Sequence, residues 1–184
     1  MVLGACQTRD PYVASAATRK SGDWRIETQV DRITSAPTPY AMATARDSSN
    51  SFAEKPAPAE MHLTCFDGKP FIRFAFEFKV GSDPNSILGY RVDDKPGRDN
   101  VTVRFLQQYR SVVIEDKAEV IRFAKEIAGS RTVVVRIRSI NAGRTIADFA
   151  IDGADAAIEA GFAGCPLTEP PAPQPDTKKR GSKV

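Results

Sequence analysis

The sequence predicts a mainly β domain of α+β type, an antiparallel β-sandwich or partly open barrel that carries two short helices. Three observations predict it. Apolar and polar residues alternate through most of residues 23–165, the period of strands with one face in a core. Turn-forming residues separate these runs at the short intervals that suit hairpins. Only two segments change to a helical period. At 184 residues and 41% hydrophobic content the chain can bury one core of moderate size, so a single domain is expected.

Strands are predicted at 24–30, 40–46 and 61–66, with Trp24 opening the first. Segment 48–59, with two prolines and many small residues, reads as a loop joining two of them. The clearest strand is 70–80, where Ile72, Phe74, Phe76, Phe78 and Val80 point one way and Arg73, Glu77 and Lys79 the other. Strands at 88–93 and 101–106 follow. Asp116 with Glu119 three residues later is a capping-box arrangement that starts a helix. Val120, Ile121, Ala124, Ile127 and Ala128 form its apolar stripe, and Gly129 can take the left-handed end. Val133, Val135 and Ile137 then alternate with Val134, Arg136 and Arg138. Ala147, Phe149 and Ile151 alternate with Asp148 and Asp152, and 141–143 reads as the hairpin turn between these two strands. An alanine-rich helix at about 154–162 completes the domain and delivers Cys165 to the sheet.

Composition shifts mark flanks on both sides, at 1–22 and 166–184. In the first, small residues Gly4 and Ala5 lead up to Cys6 as they do at the processing site of bacterial lipoproteins, and a polar tether starts at Gln7. Lipidation of Cys6 is therefore expected, with a free thiol in a disordered tail as the other reading. Only five residues precede Cys6, fewer than the roughly 7–15 apolar residues of a secretory signal, so the reading requires a start further upstream or a shortened chain. Acyl chains contribute about 0.8 kcal/mol per buried methylene, so the multiply acylated cysteine of a lipoprotein would hold the domain on a leaflet. No segment approaches the ~20 apolar residues needed to span a bilayer, which leaves lipid as the expected anchor. Gln7 in place of aspartate points to the outer membrane under the sorting rule that the lipoprotein resemblance carries. The second flank holds Pro166, Pro170, Pro171, Pro173 and Pro175 before Lys178, Lys179, Arg180 and Lys183. It is expected to be an extended, disordered tail that either reaches a partner or simply solubilises the chain.

Cys65 lies on a predicted strand and Cys165 directly after the last core element, an arrangement that predicts a disulfide closing nearly the whole domain. Two buried reduced thiols are the alternative. Disulfides persist outside the cytosol, so the pair and Cys6 together predict a periplasmic, lipid-anchored address.

The succession of Trp24, then Leu63, Thr64 and Cys65, then Tyr90, Arg91, Val92 and Asp93, then Phe149, Ala150, Ile151, Asp152 and Gly153, ending in the alanine-rich helix and Cys165, resembles the VasI/TagO-type family of type VI secretion-associated envelope proteins. The similarity spans about residues 22–165. It implies a periplasmic, disulfide-bearing accessory domain without assigned catalytic residues. The chain departs from the family pattern in lacking a tryptophan after Asp94, and the family is often unlipidated.

The residues give enzymatic chemistry little support. Nucleophilic systems need an imidazole beside the nucleophile, and the only histidine, His62, reads as a surface or edge residue of its strand. A zinc site needs three or four His, Cys or acidic ligands, and oxidation of Cys65 with Cys165 would remove the soft ones, so neither metal nor cofactor is expected. Asp93, Asp94 and Asp99, around Lys95, Pro96 and Gly97, read as an acidic hairpin tip, ahead of a carboxylate pair or a calcium loop. A net charge of +3 made of scattered arginines argues against nucleic-acid binding. Arg73, Arg91, Arg104, Arg136 and Arg138 are either an ordinary solvated face or an anion-binding surface aligned on one sheet. The expected function is thus a non-enzymatic periplasmic lipoprotein, held to the membrane by its lipid, that binds a protein of an envelope or secretion assembly. The alternative is an inhibitor or immunity-type domain that plugs a lysozyme or toxic effector with the loop 93–100. A hydrolase would further require a concave pocket with a perturbed carboxylate.

Overall fold

In β5 (Lys69–Phe76) the alternation becomes structure directly: Ile72, Phe74 and Phe76 are buried, while Arg73 and Ala75 are only half covered. Phe74 meets Phe123 and Phe149 with ring centroids 6.0 and 6.1 Å apart, so one inward position ties three elements together. The ladder ends at Phe76, before the alternation does. Beyond it, the Phe76 and Val80 amides donate to the carbonyls of Arg110 and Tyr109, and the loop partner takes over from a neighbouring strand.

The computed structural model describes residues 13–82 and 85–168; Cys6 and the charged C-terminal tail lie outside them. The other elements are β1 (Val13–Ser21), β2 (Trp24–Asp31), β3 (Pro37–Asn50), β4 (Ala59–Phe66), β6 (Ser86–Val92), β7 (Arg98–Val101), β8 (Arg104–Leu106), β9 (Ser111–Ile114), α1 (Lys117–Ile127), β10 (Thr132–Ser139), β11 (Gly143–Ala150) and α2 (Ala154–Gly161). The protein is mainly antiparallel β with two short helices. Its strands form one sheet in the order β7-β6-β10-β11-β3-β4-β5-β9-β8, with β1 and β2 attached to β3 off this path. β3 belongs to both halves: residues 37–43 pair with β2 and residues 45–50 with β11, while 40–44 pair with β4 on the other edge. The sheet curls into an open half-barrel around one core, and α1 lies against β5 on its inner side. Only Thr102 and Val103 separate β7 from β8, the two ends of the strand order. At about 3.6 Å per residue, that link brings the opposite sheet edges within roughly 11 Å of each other.

Four local differences from the sequence pattern have physical causes. β1 takes up much of the stretch that reads as a tether; its backbone pairs with β2 along most of its length, and its small, polar residues give no period to see. The single strand predicted at 101–106 is two strands that pair with different neighbours, β7 with β6 and β8 with β9. β9 escapes the period because all four of its residues are buried. Residues 48–50 continue β3, where a loop is predicted, because the Asn50 side-chain amide donates to the Ala142 carbonyl at 2.7 Å and to Thr145 Oγ1 at 2.8 Å. In α1 the Asp116 carboxylate accepts from the Glu119 amide at 3.0 Å, half of the capping box, whereas the Glu119 carboxylate binds Arg98 and Arg122. Gly129 follows with φ at 65°.

Candidate binding face

β10 stands between β6 and β11, and its alternation sends Val133, Val135 and Ile137 into the core and Val134, Arg136 and Arg138 outward. Register then fixes what surrounds them. One row across the outer face holds Ile87, Arg138 and Arg144; the next holds Gly89, Arg136, Ile146 and Ser49; a third holds Arg91, Val134, Asp148 and Asp47. Along β11 and β3 charge therefore runs from basic Arg144 to acidic Asp148 and Asp47, while Arg91 on β6 keeps a cation in the third row. Arg138 and Arg144 are directly opposite, as are Asp148 and Asp47. Like charges in that relation oppose sheet stability by a few tenths of a kcal/mol up to about 1. Apolar groups lie among them: Ile87, Ile140 and Ile146 are 37%, 80% and 48% exposed.

Asp99, from β7, reaches over this surface. Its Oδ2 accepts from the Arg138 guanidinium at 2.7 Å and pairs with that of Arg136 at 3.0 Å, and its Oδ1 accepts from the Asn100 amide. Slight burial raises the proton affinity of this carboxyl, but the Asn100 amide and the two guanidiniums outweigh it and hold it below the usual carboxylate range. Among the described residues Arg91 and Arg144 meet no carboxylate. Two shallow grooves flank the charged row. One of about 430 Å³ is lined by Arg91, Arg98, Asp99, Arg136 and Ile146. The other, of about 470 Å³, is lined by Ile87, Arg138, Ile140 and Arg144.

No family model, no curated protein and no solved structure matches this chain. The surface must therefore be read from its own chemistry. It offers guanidiniums for planar bidentate recognition of carboxylates, with apolar side chains between them. Among the described residues, no nucleophile–base pair lies on it.

Of the arginines singled out in sequence, Arg91, Arg136 and Arg138 come together, and two do not join them. Arg73 lies on β5, three strands beyond β11 in the sheet order, where its Nε donates to Ser111 Oγ and its terminal nitrogen to Gln107. Arg104 pairs with Glu115 on the edge of the same half. Asp93 serves the fold, because its carboxylate accepts from the Arg131 and Thr132 amides and from the Thr132 hydroxyl and so anchors the start of β10. Asp94 is exposed. Cys65 and Cys165 form a disulfide, with Cα atoms 6.0 Å apart. His62 is not a surface or edge residue. It is 6% exposed on β4, inside the sheet, with its ring 5.0 Å from that of Tyr40 and its Nε2 3.0 Å from the Glu60 carboxylate. Sequence reasoning missed Arg144 and the three isoleucines. The signal for Arg144 was the predicted 141–143 turn, since counting pairs outward from it sets Arg144 against Arg138.

Proposed function

We propose that this chain is a non-enzymatic periplasmic domain, lipid-anchored through Cys6, that serves an envelope or secretion assembly by binding another protein on the outer face of β6, β10, β11 and β3. The observation that carries the reading is the Arg138–Arg144 pair, set directly opposite on an exposed face among exposed isoleucines. Asp99 compensates Arg138 from within the chain, but Arg144 meets no carboxylate among the described residues, so the like-charged pair is fully compensated only once a partner supplies one. The charges along β11 and β3 add direction, because a partner that brings acid to Arg144 and its neighbour Arg138 can bring base to Asp47 and Asp148. The disulfide supports an oxidising compartment. The resemblance to the VasI/TagO-type family supports an accessory role in the envelope. The inhibitor reading is less well supported, since Asp93 and Asp99 of its loop both bind back onto the domain.

The test is photo-crosslinking in cells from a reactive residue at position 146, with a matching one at position 79 as control. A discrete adduct from 146 alone, abolished by Arg138→Glu with Arg144→Glu, is expected. Adducts indifferent to charge reversal would sink the reading. Mass measurement on protein recovered from the envelope tests the anchor, which requires acyl chains on Cys6.

A further inference from the structure

We propose that Asp99 occupies the seat of a ligand carboxylate, so that the partner is recognised through an extended acidic segment that displaces it. This rests on reading the face as a docking surface. One carboxylate oxygen of Asp99 serves both Arg136 and Arg138, 3.0 and 2.7 Å away, the contact an incoming acidic side chain would make. The chain is built to bring Asp99 there. Gly89 lies beneath it on β6, and a Cβ at that position would stand 2.9 Å from Asp99 Oδ1 and 2.7 Å from the Arg98 carbonyl. Asn100, with φ at 59°, takes the left-handed turn that follows.

The cover is also weakly held. β7 is a four-residue edge strand whose pairing to β6 is interrupted by a register shift. Asp99, Arg136 and Arg138 each retain nearly half their exposure, at 47%, 48% and 45%. Exposed ion pairs of this kind contribute little net stability, so an external carboxylate can compete with them. Displacement leaves three guanidiniums, of Arg136, Arg138 and Arg144, in two adjacent rows. Rows on one face of a strand are about 6.8 Å apart, twice the rise per residue. Side chains at alternate positions of an extended peptide repeat at the same interval. Acids at positions i and i+2 would thus place one carboxylate where Asp99 is and the next about one row further along, on the side of Arg138 and Arg144.

The experiment measures binding of a capped hexapeptide of alternating glutamate and alanine to the full chain by fluorescence anisotropy at low salt. Asp99→Asn is expected to tighten binding about 3–10-fold relative to the parent. Arg138→Gln with Arg144→Gln is expected to abolish it in both backgrounds. If the arginine changes abolish binding but Asp99→Asn leaves it equal or weaker, the docking face stands and Asp99 is no ligand mimic. If neither the parent nor Asp99→Asn binds the peptide, the acidic-partner reading falls as well. Asp99→Ser, which removes the same carboxylate from a half-exposed position, repeats the test in a second variant, and thermal unfolding confirms that each is folded.

Discussion

His62 shows how far a residue's neighbours decide its chemistry. It lies in a row across the outer side of β2, β3, β4 and β5 with Arg25, Met42 and Arg73, where neighbouring side chains cover it. Burial, aided by the nearby Arg73 and Arg25 charges, lowers its proton affinity from the ordinary 6.5 despite the opposing pull of Glu60. The neutral ring donates from Nε2 to Glu60, and this hydrogen bond in turn holds the Glu60 carboxyl below its ordinary 4.5 against its own burial. As pH falls the unfolded chain takes up both protons first. Stability is therefore complete above about 6.5, drops as pH falls below it through His62, and drops again below about 4.5 through Glu60. Urea unfolding is expected to give a lower midpoint at pH 5 than at pH 8, with the difference reduced in His62→Gln. An equal difference in that variant would remove His62 from the account. None of this was legible in sequence, because alternation places His62 on the outer face and only the side chains of neighbouring strands bury it. Arg138 was legible as outward-facing for the same local reason, but Asp99 was not legible as its partner, since their contact depends on the register in which β7 pairs with β6.

Elements were legible where one face meets the core and the other meets water. α1 illustrates both the success and its limit. The periodic stripe marks the buried face, yet it omits Phe123, fully buried at its centre, and includes the exposed Ala128. Phe123 contacts Tyr90 at 4.9 Å and Phe74 at 6.0 Å between ring centroids, joining β6 to β5 across the core. Phe123→Ala is expected to cost about 3–5 kcal/mol, and Ala128→Ser close to nothing, by chemical denaturation. Removal of the N-cap in Asp116→Ala should cost about 1 kcal/mol. Comparable losses for Phe123 and Ala128 would mean that the helix packs on a different face. β1 and β9 carry no periodic signal, for opposite reasons: one gives no sustained alternation, and the other has no exposed face to alternate with. Sequence periodicity reports a difference between faces, so both kinds of strand are silent.

At the scale of the molecule, the mainly β class and the two helices followed from pattern, but the route of the chain did not. β3 changes neighbours midway, and β7 and β8, adjacent in sequence, end at opposite limits of the strand order. Those are long-range pairings, and no local period encodes them. The disulfide was legible because its two ends mark the first half and the close of the core. It joins residues 100 positions apart, and the chain-entropy model assigns a loop of that size roughly 4–5 kcal/mol. Cys65→Ser with Cys165→Ser is expected to lose a large part of this in urea unfolding, and full stability in that variant would show that packing alone closes the fold. The ring has a further consequence for proteases. A single cut inside it, for instance after the exposed Arg110, opens the chain but leaves both pieces covalently joined, and they separate on a denaturing gel only after reduction. A cut in the stretch between β3 and β4 lies outside the ring and frees the N-terminal piece at once under denaturing conditions. That piece carries Cys6; under the anchoring proposed above, the position of a nick would decide whether the folded core stays joined to the acylated end or is shed when it unfolds.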